Sequence, residues 1–486
     1  MEKTTTRKGL VLALCCLAQF MVVLDIAIVN VALPSIKVDL GLSESGLQWV
    51  VIAYGLMLGG FLLLGGRLGD LLGRRRILLT GLGLFTGASL LAGLARSTGL
   101  LIEARALQGF GAALIAPSAL SILAVTFAEG RERNGALGIF GAIGGSAATV
   151  GVIASGLLTD GPGWRWIFFI NIPVGVVLIS LASRFLPPDR VAPSSRRFDA
   201  AGAAAVTAGL LLLVYGLNRG VSHGWATPMT LAVFGGAAVL LATFVRVESR
   251  SRSPLVPAVA LRNRTMVAAD LAAFLLFGAF FSFIFLVSLL LQQMLHYSPT
   301  QTGLAWLATS VTGFFAAGIS GAKLVSSFGV RRLLILGMAL GALGLLWLTR
   351  VPPEAGYVTD LLPSLLLLGV GIGLCAPTVQ IAALSGVEGG AEGLASGLVE
   401  TMREIGGAVG IAAVSTVLVA RSGGTAVMAG FHSAFVVTVI MAALCAVVAW
   451  IAFPRTSRGP LVVSGEDPTP STAAPALVPL EEPSTV

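Results

Sequence analysis

The segment GRLGDLLGRRR, Gly66–Arg76, is short and basic, carries one acidic residue, and lies between two long apolar runs. It is too short for a domain, so we expect a tight loop that joins two membrane-spanning helices. A degenerate copy, GAKLVSSFGVRR, occupies Gly321–Arg332 and also lies between apolar runs. In this register Gly73 is equivalent to Gly329, 256 residues later. A loop that recurs in this way indicates a chain built by duplication.

The composition excludes a soluble globular protein. Of the 486 residues, 56% are hydrophobic and 11% are charged, whereas ordinary domains carry about 25% charged residues. Apolar stretches long enough to cross a bilayer as helices recur along the chain, which predicts an all-α polytopic membrane protein. The fourteen predicted spans are 9–33, 46–65, 77–95, 99–126, 135–158, 166–186, 199–217, 229–246, 266–293, 302–322, 333–349, 361–384, 393–419 and 431–453.

A second repeat supports the first. GFGAALIAPS (Gly109–Ser118, span 4) and GVGIGLCAPT (Gly369–Thr378, span 12) share Gly, Gly, Leu, Ala and Pro in register. Spans 1–6 are therefore expected to correspond to spans 9–14, with spans 7 and 8 inserted between two six-helix halves. The predicted division is 1–186 for the first half, 187–265 for a linker with the two inserted helices, 266–453 for the second half and 454–486 for a disordered cytoplasmic tail.

The basic residues predict the orientation. With the N-terminus in the cytoplasm, most of the 31 Lys and Arg residues are cytoplasmic, as the positive-inside rule requires. Both termini are then cytoplasmic in a multi-pass protein of the inner (cytoplasmic) membrane. The net charge of +8 is explained by this topology, so no nucleic-acid partner is expected. The expected partners are the lipid bilayer, a small-molecule substrate and protons, and the protein is expected to be a monomer.

Several motifs together resemble the major facilitator superfamily and, within it, the fourteen-helix drug:proton antiporters. The basic segment at Gly66–Arg76 is similar to the family's cytoplasmic loop, and ARALQGFGAA, with Arg105, is similar to its helix 4 motif. LDIAIVNVALP (Leu24–Pro34) and WRWIFFINIPVG (Trp164–Gly175) resemble the first helix and the entry to the sixth in the drug antiporters. The resemblance implies the major facilitator fold and export of amphipathic drugs or antibiotics in exchange for protons.

The chain departs from this pattern in span 5. The antiporters carry Gly-Pro followed by Gly-Gly, whereas this chain has GVIASG (151–156), with Val152 in place of Pro and Ser155 in place of one Gly. The departure supports a proton-coupled importer of a small solute as an alternative. A non-transporting membrane sensor on the same fold is a second alternative, and its support is the tail at 454–486. The glycines assigned to helix packing or the antiporter motif are Gly109, Gly111, Gly151 and Gly156.

Two charged residues within the spans are the predicted site of proton coupling. Asp25 lies about nine residues from the outer end of span 1 and Arg105 about six from that of span 4, which places both about 9–14 Å deep at 1.5 Å per residue. Burial favours a neutral carboxyl group and a guanidinium favours an ionised one, so the pair can load and release a proton. The alternative is a static ion pair that joins two helices.

Other polar residues in the spans form weaker candidates. Glu400, Arg403 and Glu404 lie three and four residues apart on span 13, and with Asp270 on span 9 they could form a second acidic site for a cationic substrate or a second proton. The alternative for Glu400 is that it reaches the cytoplasmic surface. Residues that could line a cavity are Asn30, Tyr54 and Gln108.

The basic segment itself is predicted to act as a conformational latch that closes the cytoplasmic side in one state. Its glycines allow close helix approach, and Asp70 can accept from an arginine or cap a helix. Arg74, Arg75 and Arg76 taken by themselves are interpreted mostly as positive-inside anchors. The latch residues are Gly66, Gly69, Asp70, Gly73, Arg74 and Arg75. The sequence has no nucleotide-binding loop, metal-ligand spacing or hydrolase motif, so no catalytic residues, metal or cofactor are expected.

Overall fold

The computed structural model of this chain describes residues 2–189, 199–251, 254–256, 262–387, 391–422 and 427–453. In these ranges it contains fourteen helices long and apolar enough to cross a membrane, and no strand, which confirms the all-α polytopic fold. The predicted tail at 454–486 lies outside the described residues. The helices are α1 (Glu2–Leu40), α2 (Glu44–Leu72), α3 (Arg74–Gly93), α4 (Thr98–Thr126), α5 (Arg131–Asp160), α6 (Trp166–Phe185), α7 (Ala200–His223), α8 (Pro228–Glu248), α9 (Arg264–Met294), α10 (Gln301–Ile319), α11 (Val325–Leu348), α12 (Tyr357–Ala383), α13 (Glu392–Arg421) and α14 (Val427–Ala452).

Side-chain caps fix where several helices begin. Ser43, Ser97, Asp199 and Thr227 each precede a helix and accept a hydrogen bond from a backbone N–H of its first turn. Asn263 does the same for α9 and accepts from two N–H groups. Because the first N–H groups of a helix have no partner within it, these polar residues mark the helix starts in an otherwise apolar chain.

The segment Gly66–Arg76 joins two membrane-spanning helices through a tight turn, as predicted, but the predicted loop is reduced to one residue and the rest of the segment is helical. α2 continues to Leu72 and α3 begins at Arg74, which leaves Gly73 as the only break. Gly73 has φ +106°, and Gly329, its equivalent in the repeat, has φ +78° within α11. Only glycine adopts such angles readily, so a single glycine makes the turn between α2 and α3 and the kink within α11.

The first helix also ends later than predicted. α1 runs to Leu40 and contains Pro34, whereas the sequence predicted an end at 33. A proline within a helix removes one hydrogen bond but does not have to end it when neighbouring helices hold the backbone. α5 is continuous through position 152, where the antiporter pattern has a proline.

The helix contacts repeat between the first and last six helices. α1 packs on α5, α2 on α4 and α3 on α4, and the equivalent pairs α9–α13, α10–α12 and α11–α12 are also in contact. The two groups meet through α2–α13 and α5–α10, which are equivalent pairings under the same repeat. The inserted α7 packs against both α2 and α13, and α8 packs on α7.

We call the end of the helix bundle that carries Gly73 the basic end, after Arg74, Arg75 and Arg76, and the other the opposite end. At the basic end Gly66 of α2 lies against the backbone of Gly393 in α13, and Gly138 of α5 lies against Gly321. A Cβ atom on either Gly66 or Gly138 would collide with backbone atoms across the contact. The glycines therefore allow the two groups of helices to close at this end.

Candidate functional site

Asp25 lies at the centre of a fully buried polar network. Its Oδ2 accepts from Arg105 Nη1 at 2.5 Å, and its Oδ1 accepts from Gln108 Nε2 at 3.1 Å and Asn171 Nδ2 at 3.0 Å. Gln108 Nε2 also donates to Ser89 Oγ at 2.8 Å. Four helices, α1, α3, α4 and α6, therefore converge on one carboxylate. The predicted proximity of Asp25 and Arg105 is present in the structure.

Several contacts also fix the side chain of Arg105. Its Nε donates to the Val50 carbonyl at 3.2 Å, its Nη1 also donates to Gln108 Oε1 at 2.9 Å, and its guanidinium lies over the Tyr54 ring at 4.3 Å. Asp25 is 0% exposed and Arg105 2% exposed. Removing one member of such a pair leaves a buried charge unbalanced, which costs about 3–5 kcal/mol. The ion pair and its hydrogen bonds therefore join α1, α2 and α4 within the membrane.

Two members of this network, Asn171 and Ser89, were not predicted from the sequence. The sequence signal for Asn171 was its amide side chain. The residues directly around it in WRWIFFINIPVG are apolar or aromatic. Ser89 had no such signal, because serine is common in these helices. Gln108, predicted to line a cavity, is 0% exposed and belongs to the network instead.

α13 carries a second group of charges. Arg403 Nη1 lies 2.8 Å from Glu400 Oε2, and Arg403 Nη2 lies 3.1 Å from Glu404 Oε1. Gln380 of α12 donates weakly to Glu400 Oε1 at 3.4 Å. Glu400 is 2% exposed, so it does not reach the surface as the alternative interpretation required. Two carboxylates thus share one guanidinium.

Asp270, the fourth predicted member of the second acidic site, is not part of this group. It lies on α9, and its Oδ1 is buried without a hydrogen bond from the described residues. No ion pair or hydrogen bond joins it to Glu400, Arg403 or Glu404 among those residues. The position of Asp270 relative to α13 could not be predicted from the sequence. Residue spacing along one helix does not determine which side of that helix faces a neighbouring helix.

A cavity of about 100 Å³ connects the two groups of charges. Arg105 of the first group and Glu404 of the second both line it, and Tyr54, which also lines it, lies within electrostatic range of both groups. Asn30 and Gly55 at its margin are exposed, so the cavity opens toward the opposite end. Asn30 and Tyr54 line the cavity, as the sequence indicated. The full lining is Ile26, Val29, Asn30, Val51, Tyr54, Gly55, Leu58, Arg105 and Glu404.

At the basic end, Asp70 caps a helix of the other group. Its two carboxylate oxygens accept from the backbone N–H groups of Gly393 at 2.9 Å and Leu394 at 2.8 Å, in the first turn of α13. Arg74 Nη2 donates to Asp70 Oδ1 at 2.9 Å and to Glu392 Oε2 at 2.7 Å. Since α13 has no side-chain cap of its own, Asp70 supplies the anion that a helix N-terminus favours.

Not every residue predicted for the latch joins the two groups of helices. The backbone N–H of Arg75 donates to Asp189 Oδ1 at 2.9 Å, and its side chain donates to the Ser183 carbonyl. Arg75 therefore connects α3 to the end of α6 within the same group. Arg74, by contrast, is an ion-pair partner across the contact rather than only a positive-inside anchor. Gly69 makes ordinary contacts near Arg74.

Three of the four predicted packing glycines occupy close helix contacts. Gly109 lies against the Tyr54 carbonyl, Gly111 against Phe85, and Gly151 against Leu24 and Ala27. Ser155 donates to the Ile28 carbonyl at 2.6 Å, so a hydrogen bond joins α5 to α1 where the antiporter pattern has a glycine. Gly156 is half-buried on the same helix.

Comparison with known proteins places this architecture in a family. The family model described as Major Facilitator Superfamily matches residues 15–411 and 269–483. The puromycin resistance protein pur8 of Streptomyces alboniger is 38% identical over 87% of this chain and 83% of its own length. The cephamycin export protein CmcT of Amycolatopsis lactamdurans is 38% identical over 86% of each chain.

A solved structure shares the fold at low sequence identity. The human organic anion transporter MFSD10 (TETRAN) matches with a TM-score of 0.67 and 16% identity over 91% of this chain and 99% of that one. At this identity the likeness concerns the fold alone. The family model and the two relatives show that the chain belongs to the Major Facilitator Superfamily of membrane transporters, in the group that includes these resistance and export proteins.

Proposed function

We propose that this protein exports small amphipathic drugs or antibiotics across the cytoplasmic membrane in exchange for protons, with Asp25 as the proton carrier. The basic end faces the cytoplasm in this proposal, because most Lys and Arg residues then lie on that side. The N- and C-termini are cytoplasmic for the same reason. Export, rather than import, is supported by relatives named for puromycin resistance, cephamycin export and lincomycin resistance.

The observation that carries the proposal is the buried ion pair at the wall of the cavity. A charged pair within a membrane is costly, so its presence beside an open cavity favours a functional role over simple helix packing. Arg105 belongs both to the network and to the cavity lining. A change in the charge of Asp25 therefore changes the electrostatic environment of a bound substrate.

The arrangement of the helices supports alternating access as the mechanism. The contacts of Gly66 and Asp70 with α13 close the basic end, while the cavity opens toward the opposite end. Release of the Asp70 contacts, followed by rocking of the two groups of helices, would expose the same cavity to the cytoplasm. Proton transfer at Asp25 and substrate binding in the cavity would then occur on alternate sides of the membrane.

Everted membrane vesicles with an acidic interior test the proposal. Puromycin, lincomycin and a cephamycin are added outside, and the interior pH is recorded for the wild type, Asp25→Asn and Asp39→Asn. Asp39 is a matched control: it lies at the surface end of α1, and a hydrogen bond from Arg165 lowers its pKa, so it is ionised at neutral pH.

We expect drug-dependent proton release in the wild type and in Asp39→Asn, and none in Asp25→Asn. Equal amounts of each protein in the membrane, checked by immunoblot, make the comparison valid. If Asp25→Asn releases protons as the wild type does, Asp25 is not the carrier. If the wild type responds to no compound, the protein does not exchange these drugs for protons.

A further inference from the structure

The two groups of helices meet along two lines, between α5 and α10 and between α2 and α13, and we call each of these a seam. The α5–α10 seam is closed by direct contacts along much of its length. Gly138 lies against the backbone of Gly321, and the hydroxyl groups of Thr149 and Ser310 are joined by a hydrogen bond. These two contacts are about 16 Å apart along each helix. The helices of this seam themselves separate the interior of the bundle from the lipid.

The direct contacts that close the α2–α13 seam lie toward the basic end. Gly66 of α2 lies against Gly393 and Gly397 of α13, and the Leu62 carbonyl also lies against Gly397. Toward the opposite end, α2 contributes four residues to the lining of the cavity and α13 contributes Glu404. The two helices therefore border the cavity there, and the gap between them would open sideways onto the lipid if nothing lay across it.

α7, the first of the inserted helices, packs on both helices of this seam. Leu63 of α2, Val206 of α7 and Ile405 of α13 belong to one cluster of buried apolar side chains. Gly60 of α2 lies against the side chain of Leu211, one further turn along α7. α7 therefore spans the seam from α2 to α13.

Aromatic side chains continue this bridge at the opposite end. Tyr215 of α7 stacks on Trp49 of α2, with ring centroids 6.0 Å apart. In the turn between α7 and α8, Trp225 Nε1 donates to Thr416 Oγ1 of α13 at 2.9 Å, and its ring stacks on Phe234 of α8 at 6.1 Å. The hairpin is thus attached to both groups of helices at the end where the cavity opens.

The charges of the cavity explain why this seam requires a cover. Arg105 and Glu404 line the cavity, and the side chains of Arg403 and Glu404 are 13% and 19% exposed. Lipid chains cannot hydrogen-bond to these groups, so contact between them and hydrocarbon is strongly unfavourable. An apolar helix across the seam keeps the charges in contact with water and away from the lipid.

We propose that α7 is a lateral seal, which closes the α2–α13 seam to lipid so that the cavity exchanges its contents with water at the opposite end and not with the bilayer. α8 supports the seal, since it packs on α7 and its own outer surface is mostly exposed, as expected for a helix surrounded by lipid. This role explains why the inserted pair lies at one of two equivalent seams. It goes beyond the export proposal and does not depend on it, because it holds for transport in either direction.

The surroundings of a spin label in the cavity test the seal. The label is attached to Val51→Cys, a cavity position on α2, in the full-length protein reconstituted into liposomes. Molecular oxygen concentrates in hydrocarbon, whereas a water-soluble nickel chelate stays in water, so the ratio of their collision rates with the label distinguishes lipid from water. A label at Val239→Cys, which is 66% exposed on α8, gives the ratio for lipid contact. The unsubstituted protein, with its four buried cysteines, gives the background.

Two double variants are compared in the Val51→Cys protein. Tyr215→Ala with Trp225→Ala removes both aromatic contacts of the seal at the opposite end. Trp347→Ala with Tyr357→Ala is the matched control, because it removes the same two side-chain types from α11 and α12, where each donates to a backbone carbonyl. We expect a low oxygen-to-nickel ratio without these substitutions and in the control. The seal variant should shift the ratio toward the Val239→Cys value.

Three results would overturn the seal. The first is a Val51→Cys ratio that already equals the Val239→Cys value without further substitution, since the seam is then open to lipid. The others are an unchanged ratio in the seal variant and an equal rise in the control. If thermal unfolding shows that the seal variant does not fold, Trp225→Phe replaces it. This variant keeps an aromatic ring and loses the hydrogen bond to Thr416, so it should give a smaller rise, and no rise would contradict the seal.

The collision rates are measured without substrate or a pH gradient. A protein that fails to release protons in response to drugs would contradict the export proposal and leave these ratios as expected for a sealed seam. Failure of the export proposal and failure of the seal are therefore distinguishable.

Discussion

Asp70→Asn is expected to weaken closure of the basic end selectively. The carboxylate of Asp70 accepts from Gly393 N and Leu394 N through different oxygens, and from Arg74 as well. An asparagine of the same shape keeps one acceptor oxygen and replaces the other with an N–H₂ group. It therefore loses one backbone hydrogen bond and the negative charge at the N-terminus of α13.

The structure sets the size of the effect. A hydrogen bond to a charged group contributes about 1.5–3 kcal/mol, and a charge at a helix N-terminus about 0.3–1 kcal/mol. Part of this free energy is offset because water solvates the Asp70 carboxylate when the contact opens. We therefore expect Asp70→Asn to destabilise the closed state by about 2–3 kcal/mol. Opening of the basic end should then become about 30–150-fold more favourable.

The rate of thiol labelling measures this opening even when the open state is rare. Ser396 is fully buried on α13 near the contact, and Ser396→Cys introduces a thiol of similar size. Everted vesicles expose the basic end to an impermeant maleimide, and a parent protein with its four buried native cysteines gives the background rate. Asp70→Asn should increase the rate at which the Ser396→Cys thiol is labelled by about 30–150-fold.

Glu132→Gln is the control, because Glu132 forms an ion pair with Lys8 at the same end but within one group of helices. It should leave the labelling rate unchanged. If Asp70→Asn labels no faster than this control, the hydrogen bonds to α13 do not hold the basic end closed, and the assignment of Asp70 as a latch is refuted.

Three further substitutions have defined expectations. Gly73→Ala should lower the free energy of unfolding by about 1–3 kcal/mol because Gly73 has φ +106°; thermal unfolding should show no loss for Gly83→Ala, where a Cβ meets open space. Asn171→Leu should reduce proton-coupled transport about tenfold by removing a donor to Asp25, while Asn218→Leu, whose amide bonds within α7, should not. Trp225→Phe should destabilise the protein by about 0.5–1.5 kcal/mol, since it loses the hydrogen bond to Thr416, and the loss should be smaller in a Thr416→Val background.

The sequence was sufficient to predict the helices because each one must cross the same apolar layer. It also predicted that Asp25 and Arg105 lie close together, because opposite charges buried at the same depth in the membrane attract each other. It did not predict that Gly66–Arg76 is helical, since a basic stretch between spans has the composition of a loop. A single glycine with positive φ makes the turn, and only the backbone shows this.

The sequence also could not decide between Glu400 and Glu404. Their spacing places both on one face of α13, but the rotation of that helix determines which residue faces the cavity. The rotation is fixed by close contacts of Gly406 with Phe274 and of Gly410 with Gly278 on α9. Such contacts depend on tertiary packing and leave no periodic pattern in the chain.

The most direct test of the central claim uses purified protein in proteoliposomes with an imposed pH gradient. The claim is that Asp25 carries the proton, so the wild type should accumulate puromycin against its gradient and Asp25→Asn should not. At saturating puromycin and without a pH gradient, Asp25→Asn should still exchange internal for external substrate. Accumulation by Asp25→Asn equal to that of the wild type would contradict the claim.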